Sequence, residues 1–148
     1  MSLDTQALRE SFALVAEQET ALARRFYEIF FERYPVVRSM FGRHSQAQQE
    51  QMLTQALAAV VEHADDAPWL TSTLRSLGAK HVGYGVRAEM YDWVGECLLA
   101  ALADVAGDAF TPRVRDAWAN AYGAIAGIMQ AGAEEATTLR SPQSATAP

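Results

Sequence analysis

One cysteine, one lysine and three histidines are nearly all this 148-residue chain offers for covalent, redox or metal chemistry. Cys97 stands alone and cannot close an internal disulfide, and the absence of any CxxC removes zinc-ribbon and thioredoxin-like sites. No apolar run approaches the ~20 residues that span a bilayer; the longest is Cys97-Leu98-Leu99-Ala100-Ala101-Leu102-Ala103. Asp4, Arg9 and Glu10 interrupt any apolar region near the start, so no signal peptide and a soluble, cytoplasmic protein are expected. Positive charge is scarce as well: a net charge of −6 and a pI near 5.0 argue against nucleic acid or an anionic membrane as partner. GxSxG, HExxH, a Walker loop and GxGxxG are all missing, which leaves no hydrolase or nucleotide-binding signature.

What is present is helical periodicity, with no repeat and no sustained strand alternation. Ser2 or Asp4 can cap a first helix carrying Leu8, Phe12 and Val15. A second, from about Ala21 to Arg33, presents Leu22, Phe26, Tyr27, Phe30 and Phe31 and is broken by Pro35. After a corner with Met40, Phe41 and Gly42, a helix from about Ala47 to His63 aligns Gln49, Leu53, Ala56, Leu57 and Val60. Asp65-Asp66-Ala67-Pro68 starts a helix from Trp69 to His81, and Gly83 and Gly85 stop it. Long helices follow over Ala88 to Ala106 and, after Thr111-Pro112, from Pro112 to about Glu135. The expectation is an all-α domain of six to eight helices over residues 1–137, crossing around a pocket, with residues 138–148 as a disordered tail.

His81 continues the apolar stripe of Leu70, Leu74 and Leu77 at helix spacing, so its imidazole faces inward near a helix end. A lone histidine on an apolar face is more often a packed core residue than a ligand. His44 and His63, in a corner and at a helix end, are expected to meet solvent. Tyr27 lies on an aromatic helix where a buried phenol needs a partner, and Gln49 opens an apolar face with Leu53 one turn on. Taken singly, each has an ordinary packing or surface explanation. Cys97, in a helix interior, reads as a small buried hydrophobe.

Several stretches, in order and at matching separations, together resemble a globin, in particular the bacterial single-domain relatives of the flavohaemoglobin haem domain. These are Arg25-Phe26-Tyr27-Glu28, Tyr34-Pro35 followed by Phe41, and Lys80-His81 followed ten residues after the histidine by Tyr91. Val94-Gly95-Glu96-Cys97-Leu98-Leu99 and Ala117-Trp118 through Ala121-Tyr122-Gly123 complete the set, which covers roughly residues 5 to 135. The resemblance implies a globin fold and haem b (iron protoporphyrin IX), held without the covalent attachment that a CxxCH motif would give. It implies His81 as the iron ligand, Phe41 packed on the porphyrin, Tyr27 and Gln49 as the distal pair, and Lys80 placed for a propionate. Leu53, Val94 and Leu98 would line the pocket, with Tyr91 behind the histidine. Gln51 competes with Gln49 for the distal place; with Gln49 inward the next turn brings Leu53, with Gln51 inward it brings Gln55, and an apolar pocket favours Gln49.

One departure bears on chemistry. The family carries a glutamate late in the last helix that acts with the tyrosine at Tyr91 to polarise the histidine; here that place falls on Ala133, and Glu134 and Glu135 point elsewhere on a regular helix. His81 is therefore expected to donate to a backbone carbonyl near Leu77. The function implied is reversible binding and transport of dioxygen and other diatomics such as nitric oxide, with oxidation of nitric oxide to nitrate (its detoxification) if an external reductase supplies electrons. Alternatives are a nitrite reductase, a peroxidase-like haem enzyme, a haem-based gas or redox sensor, and a haem-free helical protein.

Overall fold

The computed structural model describes residues 3–18, 20–42 and 44–140, and among these it contains helices and no strand. Six α-helices follow one another: α1 (Thr5–Ala16), α2 (Ala21–Arg33), α3 (Gln46–Glu62), α4 (Ala67–Gly83), α5 (Ala88–Ala106) and α6 (Pro112–Arg140). A 3-10 helix, Pro35–Phe41, fills the corner after α2, and a short one, Gly107–Ala109, separates α5 from α6. The last helix runs past the predicted domain end at 137 as far as Arg140; residues 141–148 of the expected tail lie outside the described residues.

The helix starts follow from side chains that satisfy free amide protons. Asp4 accepts from the amide of Ala7 at 3.1 Å, Asp66 from Trp69 at 3.2 Å and Thr111 from Val114 at 3.2 Å. Ser45 and Gln48 form a reciprocal capping box, which starts α3 at Gln46, one residue ahead of the sequence expectation. Pro35 ends α2 as expected, but the chain stays wound as a 3-10 helix because Val37 finds a buried place in the core. Gly85, at φ 85°, takes the left-handed conformation that turns the chain from α4 toward α5.

Two apolar clusters make up the interior. The larger joins Leu8, Val15, Phe26, Tyr27, Phe30, Leu57, Leu98 and Trp118, with Phe41, Leu53 and Val94 half-buried against it. Trp118 donates its indole N–H to Ser11 at 2.9 Å, so the polar edge of that core is satisfied. The smaller cluster holds Leu70, Leu74, Tyr91, Ala126 and Met129, with Val60, Leu77 and Val86 half-buried around it. α3 packs on α1 and α2, whereas α4 packs on α6. Backbones come unusually close between α4 and α6: a Cβ at Gly78 would collide with the Met129 carbonyl, and one at Gly132 with that of Arg75. No helix among the described residues is long and apolar enough to cross a membrane.

Candidate functional site

His81 lies in the last turn of α4, half-buried, with Nδ1 2.7 Å from the carbonyl oxygen of Leu77. A carbonyl only accepts, so Nδ1 carries the proton and donates, as expected from the sequence. Burial lowers the imidazole pKa more than this hydrogen bond raises it, which favours the neutral ring. The result is an imidazole whose Nε2 keeps a lone pair, the form in which histidine binds a metal. Among the described residues there is no cluster of three or more histidine, cysteine or acidic side chains that could hold a metal ion.

Tyr27 belongs to the larger apolar cluster. Its ring is buried in an aromatic group, with ring centres 5.0 Å from Phe26, 5.6 Å from Phe31 and 5.6 Å from Phe41. The hydroxyl makes no hydrogen bond among the described residues. Burial first, and the charge of Glu50 second, push the phenol up to about 12, so it is a proton-bearing donor over the whole physiological range.

α3 presents two adjacent faces. Leu57 and Val61 turn into the core, while Gln49, Leu53 and Val60 are half-buried beside them. Gln51 is exposed, and Gln49 shares the register of Leu53. Leu98 is buried and Val94 half-buried on α5; Lys80 is exposed beside His81. The chain thus has a half-buried imidazole at the end of α4, one turn after Leu77 of the smaller cluster, and a phenol on α2 within the larger one, with Phe41, Leu53 and Val94 half-buried against the latter.

Tyr91 is buried, yet its hydroxyl is the one buried side-chain polar atom left without a partner among the described residues. Tyr122 donates instead to the backbone carbonyl of Tyr91 at 2.7 Å. Glu135 is taken up on the surface by Arg75, at 2.6 Å, and Ala133 has no polar group to offer. The remaining histidines stand apart: His44 is exposed, whereas His63, expected in solvent, stacks on Trp69 with ring centres 3.8 Å apart. Cys97 is fully buried, and burial pushes its thiol up to about 11, so it is inert as a nucleophile.

Sequence reasoning missed Glu50. It is buried, accepts from Nε2 of Gln46 at 2.9 Å and lies 3.5 Å from Nε of Arg24. The signal was there, since Glu50, Thr54, Leu57 and Val61 repeat at helix spacing, but a glutamate in a glutamine-rich first turn reads as solvated.

A globin family model matches residues 24–129. The flavohemoprotein of Bordetella pertussis is 40% identical over 132 residues, covering 87% of this chain and 33% of that protein. The flavohemoprotein of Rhodopirellula baltica is 40% identical over 124 residues, covering 82% and 30%. The chain therefore spans about a third of the length of these relatives. Among solved structures, a bacterial globin from Campylobacter jejuni superimposes with a TM-score of 0.77 at 27% identity, covering 88% of this chain and 94% of that one. An engineered carbene transferase derived from a candidate nitric oxide dioxygenase of Rhodothermus marinus gives 0.84 at 26% identity, covering 95% and 99%.

Proposed function

This chain belongs to the globin family, and from that membership we propose that it binds haem b and uses it to take up dioxygen and nitric oxide. A ferrous haem, when bound, would supply the iron chemistry that takes up a diatomic gas. The other contributions come from the chain. His81 offers the Nε2 lone pair of a neutral ring that Leu77 holds in one tautomer. Tyr27 brings a hydroxyl uncommitted to any described residue, and Gln49 a half-buried amide, as hydrogen-bond donors on the distal side. Phe41, Leu53, Val94 and Leu98 exclude water around the group, and the exposed Lys80 ammonium is suited to a propionate. Haem b, held without thioether bonds, is favoured because the only cysteine is fully buried.

The observation that carries this reading is Tyr27, whose ring is buried among aromatic side chains while its hydroxyl stays unbonded to any described residue and in its donor form. A donor to a partly negative gas ligand contributes about 1.5–3 kcal/mol, enough to retain oxygen for reaction with nitric oxide. Joining nitric oxide to both atoms of dioxygen as nitrate consumes one electron per turnover, which a reductase would provide. The hydrogen bond of His81 to a neutral carbonyl, and not to a carboxylate, weighs against a peroxidase-like activity.

Stopped-flow mixing of the oxygenated protein with nitric oxide tests this. Stoichiometric nitrate and a ferric product are expected, with sustained turnover only when a reducing system is added. Oxygenated protein that survives nitric oxide unchanged would leave simple oxygen binding, and absence of a Soret band after haem addition would overturn the whole reading.

A further inference from the structure

Only two polar side chains are buried among the described residues, Ser11 and Glu50. Ser11 is accounted for by its hydrogen bonds with Ala7 and Trp118. Glu50 is not explained by gas binding, and a carboxylate withdrawn from water is costly unless paired. It is paired once on each oxygen: Gln46 donates to Oε2 at 2.9 Å, and the Arg24 guanidinium lies 3.5 Å from Oε1. Arg24 sits one turn before Tyr27 on α2, and Gln46 one turn before Glu50 on α3. Tyr27 and Gln46 also line the same open groove, of about 330 Å³, together with Phe31, Arg38 and two exposed glutamates. The carboxylate is thus held between a residue one turn from Tyr27 on α2 and a residue of α3 that lines the same groove as Tyr27.

We propose that Glu50 is a positioning residue of the distal site: held by Arg24 and Gln46 across the α2–α3 junction, it sets a fixed negative charge behind Tyr27 and so limits how strongly that hydroxyl donates to a gas. The assignment rests on reading Tyr27 as the distal donor. A negative charge close to a phenol opposes build-up of negative charge on its oxygen, and therefore weakens it as a donor. Glu28, Glu32 and Arg38 are exposed along the groove and are screened by solvent, whereas Glu50 is not. The same burial makes Glu50 the charged residue with the greatest leverage on Tyr27, in agreement with its contribution to the raised phenol pKa.

The test uses the haem-loaded full chain as wild type, Glu50→Gln, Tyr27→Phe and the double variant. Glu50→Gln keeps side-chain length and the bond from Gln46; Glu50→Met is a second, apolar replacement should the buried amide misfold. Oxygen release is followed by stopped flow, and carbon monoxide serves as an infrared probe of the distal field. Glu50→Gln is expected to slow oxygen release about threefold or more and to move the C–O band to lower frequency, with both effects lost in the Tyr27→Phe background. Equal effects in that background, or an unmoved C–O band in both Glu50 variants, would overturn the assignment and leave Glu50 a packing strut. Tyr27→Phe alone separates the two readings. An unchanged release rate there overturns the distal role of Tyr27 and that of Glu50 with it. Faster release there, joined to no effect of Glu50→Gln, overturns the Glu50 assignment only.

Discussion

The Nδ1 of His81 and the carbonyl of Leu77 stand 2.7 Å apart, which ties the imidazole to the backbone of its own helix. The nearby carboxylates of α6 are turned to the surface: Glu135 pairs with Arg75 there, and Glu134 is exposed. The buried hydroxyl of Tyr91 has no partner among the described residues. Tyr91 and Met129 pack in one cluster, and Ala133 lies one turn beyond Met129.

Ala133→Glu should therefore supply the missing acceptor. With a carboxylate near Tyr91, the imidazole gains anionic character and the iron–histidine vibration of the ferrous protein, read by resonance Raman, should rise in frequency. Tyr91→Phe, which removes an unpartnered buried hydroxyl, should cost less than about 0.5 kcal/mol or stabilise; a loss beyond about 2 kcal/mol in a thermal melt would mean that the hydroxyl is bonded in solution.

Tyr27→Phe removes the distal donor without changing the volume of its aromatic nest. Oxygen release should accelerate about tenfold or more, the loss of a hydrogen bond to a partly charged acceptor. An unchanged rate would take Tyr27 out of gas retention.

The same phenol predicts a pH dependence. Its folded value is raised to about 12, against an ordinary value of 10.0. Between the two, the unfolded chain has lost this proton and the native chain retains it, so stability falls as pH rises through that window and is fully present below it. Urea melts at pH 9 and pH 11 should show this decline, and Tyr27→Phe should lessen it. Oxygen release should be insensitive to pH, as far as Tyr27 governs it, from neutrality to pH 9.

Most of the fold was legible because each helix announces itself locally. Caps at Asp4, Asp66 and Thr111, Pro35 as a breaker and Gly85 as a stop are all readable from nearest neighbours. His81 showed its inward face through the stripe of Leu70, Leu74 and Leu77, and its bond to Leu77 follows from one helical turn. Glu50 was opaque for a different reason. Helix spacing aligns it with Leu57 and Val61, but its charge is tolerable inside only because Arg24 pairs with it from another helix, and that partner is not visible in local sequence. The division of the core into two clusters was hidden too, since it arises from which helices pack together and not from any one stripe.

His81→Ala should abolish stoichiometric haem retention, because the remaining histidines are placed elsewhere: His44 is exposed and His63 is stacked on Trp69. Added imidazole should restore a Soret band by filling the space vacated by the ring. A variant that holds haem as tightly as wild type would show that another residue is the ligand.

The closeness of α4 to α6 at Gly78 predicts that the position of His81 depends on a residue with no polar chemistry. Gly78 is one residue after Leu77, whose carbonyl fixes the imidazole, and its missing Cβ admits the Met129 carbonyl of α6. Backbone cannot yield as a flexible side chain can, so Gly78→Ala must push the two helices apart. A cost of about 2–4 kcal/mol is expected, visible as a lower thermal midpoint. The displacement should also reach His81, so the variant should lose haem to apomyoglobin faster than wild type. Ser76→Ala, at an exposed position on the same helix, serves as the control and should leave both measurements within error. Equal haem loss in Gly78→Ala and wild type, despite a lower midpoint, would show that the contact supports the fold without setting the place of the imidazole.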